Sequence, residues 1–201
     1  LSVFYLNYSN RIGYLSKYYT EDTAPTPGLL YTTYRFSTNI GDSKTLGIES
    51  YVSWNVLKSL TDIETQALNI FLNTSFQKGT YVQSDEPSIK GKRLEYNPNM
   101  NLKFGIQYKY KSFTSSLLYS YTSSQFADAQ NTTSPTQNAL FGEIPSNSVV
   151  DLSAKYEKER FIIEAGVNNL LDRSYFTRRA TGYPGPGIIP SDKRNYYLSL
   201  Q

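Results

Sequence analysis

The sequence predicts an all-β chain, an antiparallel up-and-down transmembrane β-barrel segment of about eight strands. Three observations predict it. Apolar and polar residues alternate with a period of two through most of the chain. Short charged turns alternate with long connections rich in Pro, Gly, Ser, Asn and Thr. Tyrosine is abundant, with Tyr 19, Phe 10 and Trp 1 in 201 residues. Its apolar ring and wet hydroxyl suit a boundary between lipid and water.

The strands are expected near 1–12, 29–57, 66–82, 93–110, 112–126, 147–157, 161–176 and 194–201. Phe4, Leu6 and Tyr8 mark the first, and Ile48, Val52, Trp54 and Val56 the second. In the third, Leu68, Ile70, Leu72 and Phe76 oppose Asn69, Asn73, Ser75 and Gln77, with Phe71 as an exception. The fourth is the clearest. Leu102, Phe104, Ile106, Tyr108 and Tyr110 share one face, and Asn101, Lys103, Gly105, Gln107 and Lys109 the other. A helix would scatter these residues, whereas a strand sorts them completely. In the fifth, Phe113, Leu117, Tyr119 and Tyr121 alternate with polar residues, and Leu118 violates the pattern. Val150, Leu152, Ala154 and Tyr156 define the sixth, Phe161, Ile163, Ala165 and Val167 the seventh, and Tyr196, Leu198 and Leu200 the eighth.

The connections sort by length. Lys58–Thr65, the turn at Tyr110–Lys111, and Glu157–Arg160 are short and charged; 13–28, 83–92, 127–146 and 177–193 are long. Short turns on one side and long loops on the other are the pattern of an outer-membrane barrel, with the short turns facing the periplasm. A soluble β-sandwich is the competing fold, but it has no reason to sort its loops. Several candidate strands also exceed twice the usual globular length of about 5–6 residues.

Composition excludes several classes. No run of about 20 apolar residues is present, so no transmembrane helix is expected. Cys 0 removes disulfides and thiol chemistry, and His 0 removes the commonest general base and metal ligand. No nucleophile–base arrangement stands out, so the chain is not read as an enzyme, and no cofactor is implied. A net charge of +3 is too small to argue for nucleic acid. The loop carboxylates Asp85, Glu86, Asp128 and Glu143 match no calcium-loop spacing. The expected inner face carries Lys103, Gln107, Lys109, Asp151, Lys155 and Glu164, which suits a wide, wet or plugged lumen. Tyr108, Tyr110, Tyr156, Tyr196 and Tyr197 lie near strand ends, as girdle residues would; they could equally be ordinary strand formers. The sequence starts at Leu1, so further strands are expected before it, with 1–201 as the C-terminal portion of a larger barrel.

Four motifs add a family resemblance. Gly166, Asn169, Leu170, Asp172 and Tyr175, within Ala165–Phe176, resemble the penultimate-strand motif of TonB-dependent outer-membrane receptors. Arg194–Leu200 is similar to their last strand, and Asn39–Gly41 with Gly47–Glu49 to an internal one. Gly142–Pro145 followed by Val149–Ser153 is also similar. The segment Tyr175–Pro190 resembles the last extracellular loop of ferric-citrate receptors within that family. The resemblance implies a barrel of about 22 strands around an N-terminal plug. It also implies a place in the outer membrane of a Gram-negative bacterium, amid lipid and lipopolysaccharide. A ferric siderophore, citrate-like, would bind outside, with energy supplied by TonB–ExbB–ExbD through an N-terminal region not in this sequence.

Arg178, Arg179, Tyr183, Lys193 and Arg194 gather in the last long loop. A ferric-carboxylate chelate is anionic, guanidinium groups bind carboxylates bidentately, and a basic vestibule would steer the ligand inward. The competing reading pairs Arg178 and Arg179 with acidic neighbours or lipopolysaccharide. Uptake of another solute, such as a glycan or cobalamin, and a surface adhesin or structural barrel are the alternative functions. A glycan site would need stacked aromatic rings in the loops.

Overall fold

The structure, a computed structural model, describes residues 1–30, 32–60, 65–180 and 186–201. In chain order its strands are β1 (Ser2–Tyr18), β2 (Thr33–Asn55), β3 (Gln66–Gln83), β4 (Met100–Tyr110), β5 (Phe113–Thr122), β6 (Gln125–Phe126), β7 (Glu143–Ile144), β8 (Asn147–Lys158), β9 (Phe161–Asn168), β10 (Phe176–Ala180), β11 (Gly187–Pro190) and β12 (Asn195–Leu200). Eight of them form one antiparallel sheet in the order β1-β2-β3-β4-β5-β8-β9-β12, and β6–β7 and β10–β11 are separate two-stranded ribbons. Every neighbour in the large sheet is the next long strand in sequence, the up-and-down order expected. No helix among the described residues is long and apolar enough to cross a membrane, which says nothing about crossing by strands.

Register sorts the side chains as the alternation predicts. One row runs Trp54, Ile70, Ile106, Leu117, Leu152, Val167 and Tyr196 across the sheet from β2 to β12. Nothing among the described residues covers it: Trp54 is 49% exposed, Leu152 37% and Leu198, two residues beyond Tyr196, 69%. An uncovered apolar band of this extent needs hydrocarbon against it. The opposite face carries Asn69, Gln107, Ser116, Ser153 and Gly166 in the adjacent row. Tyr110, Phe113 and Tyr156 pair side by side at the short-turn rim, as an aromatic girdle would.

The two violations of the alternation share one row. Phe71 pairs with Gly105, and Gly105 with Leu118, on the inner face. A methyl group at Gly105 would collide with the Phe71 ring, so the ring fills the space the glycine leaves. The same relation joins Phe4 to Gly47 and Tyr197 to Gly166. Two expectations change as a result. Phe4, Leu6 and Tyr8 lie on the inner side, opposite Gly47, Thr45 and Ser43, while Val3 and Tyr5 join Ile48 and Leu46 on the lipid side. Tyr197 is not a girdle residue: it covers Gly166 and donates to Glu164 Oε1 at 3.1 Å.

Strand ends also differ from expectation, for local reasons. β1 runs on to Tyr18 through a bulge, with Asn10 at φ 54 and Gly41 at φ 143, and with the Asn10 N–H donating to Asp42 Oδ1 at 2.9 Å. β2 gives way to a short helix, α1 (Val56–Leu60), where Asn55 Oδ1 accepts the Lys58 N–H at 3.1 Å as a cap. Residues 93–99 are a loop rather than strand, with Tyr96 at φ 52 and Pro98 lacking an N–H. β9 stops at Asn168 because Asn169 and Asp172 take positive φ, 51 and 52. The long connections 127–146 and 177–193 are not featureless, since each contributes a ribbon strand.

The dry core sits at the long-loop end. Leu15, Ile40 and Tyr81 from β1, β2 and β3 pack with Ile89, Leu94 and Ala129 from two of the loops. The loops therefore fold down onto the ends of the strands and cap the sheet there.

Candidate functional site

The foot of the last loop is built on Asn169. It is 3% exposed and takes a left-handed turn at the end of β9. Its N–H donates to Asp151 Oδ1 at 2.8 Å, its Nδ2 to the carbonyls of Arg173 (2.8 Å) and Asp192 (3.2 Å), and its Oδ1 accepts the Arg173 N–H at 2.9 Å. Asparagine tolerates the left-handed region and offers both donor and acceptor, which suits it to this position. Asp172 Oδ1 then accepts the Arg194 N–H at 3.1 Å. The penultimate-strand motif is thus a hinge block that sets where the last loop leaves and returns. Beside it lies a cleft of about 510 Å³ lined by Asp151, Asn168, Tyr175 and Asp192 among others. Its two carboxylates make it a poor place for an anion.

Above this foot, β10 and β11 form a ribbon with Arg178 opposite Ile189 and Arg179 opposite Ile188. Successive strand residues point to opposite faces, so the two arginines separate. Arg178 is exposed. Arg179 is 4% exposed and donates to the carbonyls of Ala139 (2.8 Å) and Glu143 (2.9 Å). Burial lowers the Arg179 pKa, with Tyr96 and Asp128 pulling it back up. Arg179 therefore staples the last loop to the Gly142–Pro145 segment of the preceding one. Lys193 and Arg194 are exposed at the foot, apart from the ribbon. Tyr183 and most of the Gly182–Gly187 run lie outside the described residues.

Tyr96 joins these parts. Its N–H donates to the Phe126 carbonyl at 2.8 Å. Burial raises its hydroxyl pKa, and the charges of Arg35, Arg178 and Arg179 draw it back down. Of these, Arg35 lies nearest in measured geometry, its guanidinium carbon 5.5 Å from the Tyr96 ring centroid. Arg35 was not singled out from sequence, because it sits in a strand far from the other arginines and only the fold brings it near. Asp128, fully buried in the preceding loop, has its carboxyl pKa raised by burial; bonds from Thr132 oppose the shift and Glu95 adds to it. No group of three or more His, Cys, Asp or Glu among the described residues could hold a metal ion.

Residues 1–170 match the family described as TonB dependent receptor-like, β-barrel. The chain belongs to the TonB-dependent receptors. Solved structures agree on the fold. The ferric citrate transporter FecA in its unliganded form superposes with a TM-score of 0.76 at 21% identity, over 98% of this chain and 27% of that one. The copper transporter OprC gives 0.66 at 16% identity, over 98% and 27%. The pyoverdine outer membrane receptor FpvA from Pseudomonas aeruginosa PAO1, bound to pyoverdine, gives 0.60 at 19% identity, over 98% and 26%. No curated protein matches the sequence. The chain spans about a quarter of the length of these solved receptors. The family is one of transport receptors rather than enzymes, and its open eight-stranded sheet here is a partial barrel.

Proposed function

We propose that this chain is the C-terminal portion of the barrel of an outer-membrane receptor that imports a ferric siderophore, citrate-like in its charge. Transport would draw on TonB–ExbB–ExbD through other parts of the receptor, with outer-membrane lipid and lipopolysaccharide around the barrel. The observation that carries this reading is the exposed Arg178 guanidinium on the ribbon of the last loop, whose charge acts on the Tyr96 hydroxyl at the long-loop end. A polycarboxylate chelate carries the complementary charge, and a free guanidinium group both attracts and orients it. Arg178 is the arginine of the last loop free to reach it, since Arg179 is committed to backbone carbonyls.

Ferric citrate binding by the intact receptor tests the reading. Arg178→Gln should weaken binding about tenfold, or about 1.4 kcal/mol, with the fold unchanged. Unchanged affinity would remove Arg178 from the ligand site, and no binding by the wild-type receptor would remove citrate.

A further inference from the structure

A second cleft at the same end differs in chemistry from the arginines of the last loop. It measures about 580 Å³, within the range of small-molecule sites, and is lined by Tyr14, Tyr19, Thr32, Tyr34, Arg35 and Asn138 among others. Its walls come from β1, β2, the connection between them, the 123–146 connection and Pro186 of the last loop.

One wall is aromatic. The Tyr19 and Tyr34 rings stack with centroids 4.4 Å apart and planes 26° apart. Such a pair presents a flat surface on which a further ring can lie. The other feature is Arg35. Its guanidinium carbon lies 3.3 Å from the Tyr14 ring centroid and 5.5 Å from that of Tyr96. Stacking uses the face of the guanidinium and leaves its edge N–H groups available. The Arg35 Nε is buried and has no hydrogen-bond partner among the described residues. An anionic acceptor at the guanidinium edge would complete its pairing. No carboxylate lines the cleft among the described residues. The amide there is already committed: Asn138 Oδ1 accepts the Thr33 hydroxyl at 2.8 Å and its Nδ2 donates to the Thr33 carbonyl at 2.6 Å.

A ligand that used both features would bring an anionic acceptor for the Arg35 edge and a flat ring for the tyrosine wall. A neutral sugar would leave the guanidinium unpaired, and an aliphatic carboxylate would leave the wall unused. We propose that this cleft is a binding site for an aromatic carboxylate, separate from the Arg178 surface.

Calorimetry on the intact receptor in detergent tests this, with 2-naphthoate as probe and cyclohexanecarboxylate and phenyl glucoside as comparators. The wild-type receptor binds naphthoate, and each comparator binds about tenfold more weakly or worse. Arg35→Gln weakens naphthoate binding by about tenfold or more, and Tyr19→Leu by about fivefold. Arg178→Gln leaves naphthoate affinity unchanged, which separates this site from the siderophore reading. Equal binding of either comparator, equal affinity in the Arg35→Gln receptor, or dependence on Arg178 would overturn the proposal. So would heat no greater than naphthoate gives with detergent alone. Were Arg35→Gln not to fold, the ranking of the three probes on the wild-type receptor would still decide.

Discussion

The Phe71 ring lies over Gly105 on the next strand, directly opposite it in register. Phe71 breaks the apolar–polar alternation of β3, and Gly105 is the reason it can. A strand glycine exposes its backbone and contributes no packing, and an aromatic neighbour across the ladder repairs both faults. Phe71→Ala should destabilise the barrel by about 1–3 kcal/mol, measured by denaturant unfolding of the folded receptor in detergent. Gly105→Ala should also destabilise it, because the new methyl group meets the ring. Stability unchanged in both would mean that the ring makes no packing contribution.

The two arginines of β10 should separate by experiment. Arg179→Ala removes two charged hydrogen bonds to half-buried carbonyls, at a cost of about 2–4 kcal/mol in local loop stability. Proteolysis within 135–146 should accelerate in that variant and stay at the wild-type rate in Arg178→Ala. Equal rates in the two variants would contradict the staple.

Asn169→Ala should loosen the foot of the last loop. It strips the acceptor from the Arg173 amide and the donor from the carbonyls of Arg173 and Asp192. The Arg173 amide should lose about 2 kcal/mol of protection against hydrogen exchange, while amides in β3 and β4 keep theirs.

Asp128 predicts a pH dependence. Burial holds its folded-state pKa above the ordinary carboxylate value. The folded loop thus binds the proton more tightly than the unfolded one, so its stability is greatest below the ordinary value and declines as pH rises through the raised one. The Ala129 amide, which donates to the Tyr14 carbonyl at 3.0 Å, reports this opening. After correction for intrinsic rates, its protection should fall as pH rises from the acid side in the wild type and stay flat in Asp128→Asn. A rise with pH would reverse the sign and refute the assignment.

Much of this architecture was legible in the residues because a sheet between lipid and water writes its two faces into alternate positions. The Leu102–Tyr110 stretch could be read directly, and the register confirms it. The short turns at Lys111 and Glu159 were equally plain. Less legible was everything set by contacts distant in sequence. Phe71 and Leu118 looked like separate faults until Gly105 placed them in one row. The extension of β1 to Tyr18 depends on a bulge at Arg11 and Gly41 that no periodicity announces. The inclusion of 93–99 in a strand overlooked the donor that Pro98 lacks. Among the candidate site residues, adjacency misled: Arg178 and Arg179 read as a pair and lie on opposite faces of a ribbon. Arg35 carried no signal, because its significance comes from Tyr14 and Tyr96 beside it.

The most direct test of the whole account uses the absence of cysteine from these 201 residues, with any cysteine elsewhere in the receptor replaced by serine. Single cysteines placed in turn at Lys103, Phe104, Gly105, Ile106, Gln107 and Tyr108 of the intact receptor would be probed in bilayers with a water-soluble thiol reagent and a lipid-borne quencher. The account predicts quenching by lipid at 104, 106 and 108 and aqueous labelling that favours 103, 105 and 107. If neither probe alternates, or if positions 104, 106 and 108 are shielded from lipid and water alike as in a dry sandwich core, the membrane-spanning assignment is contradicted.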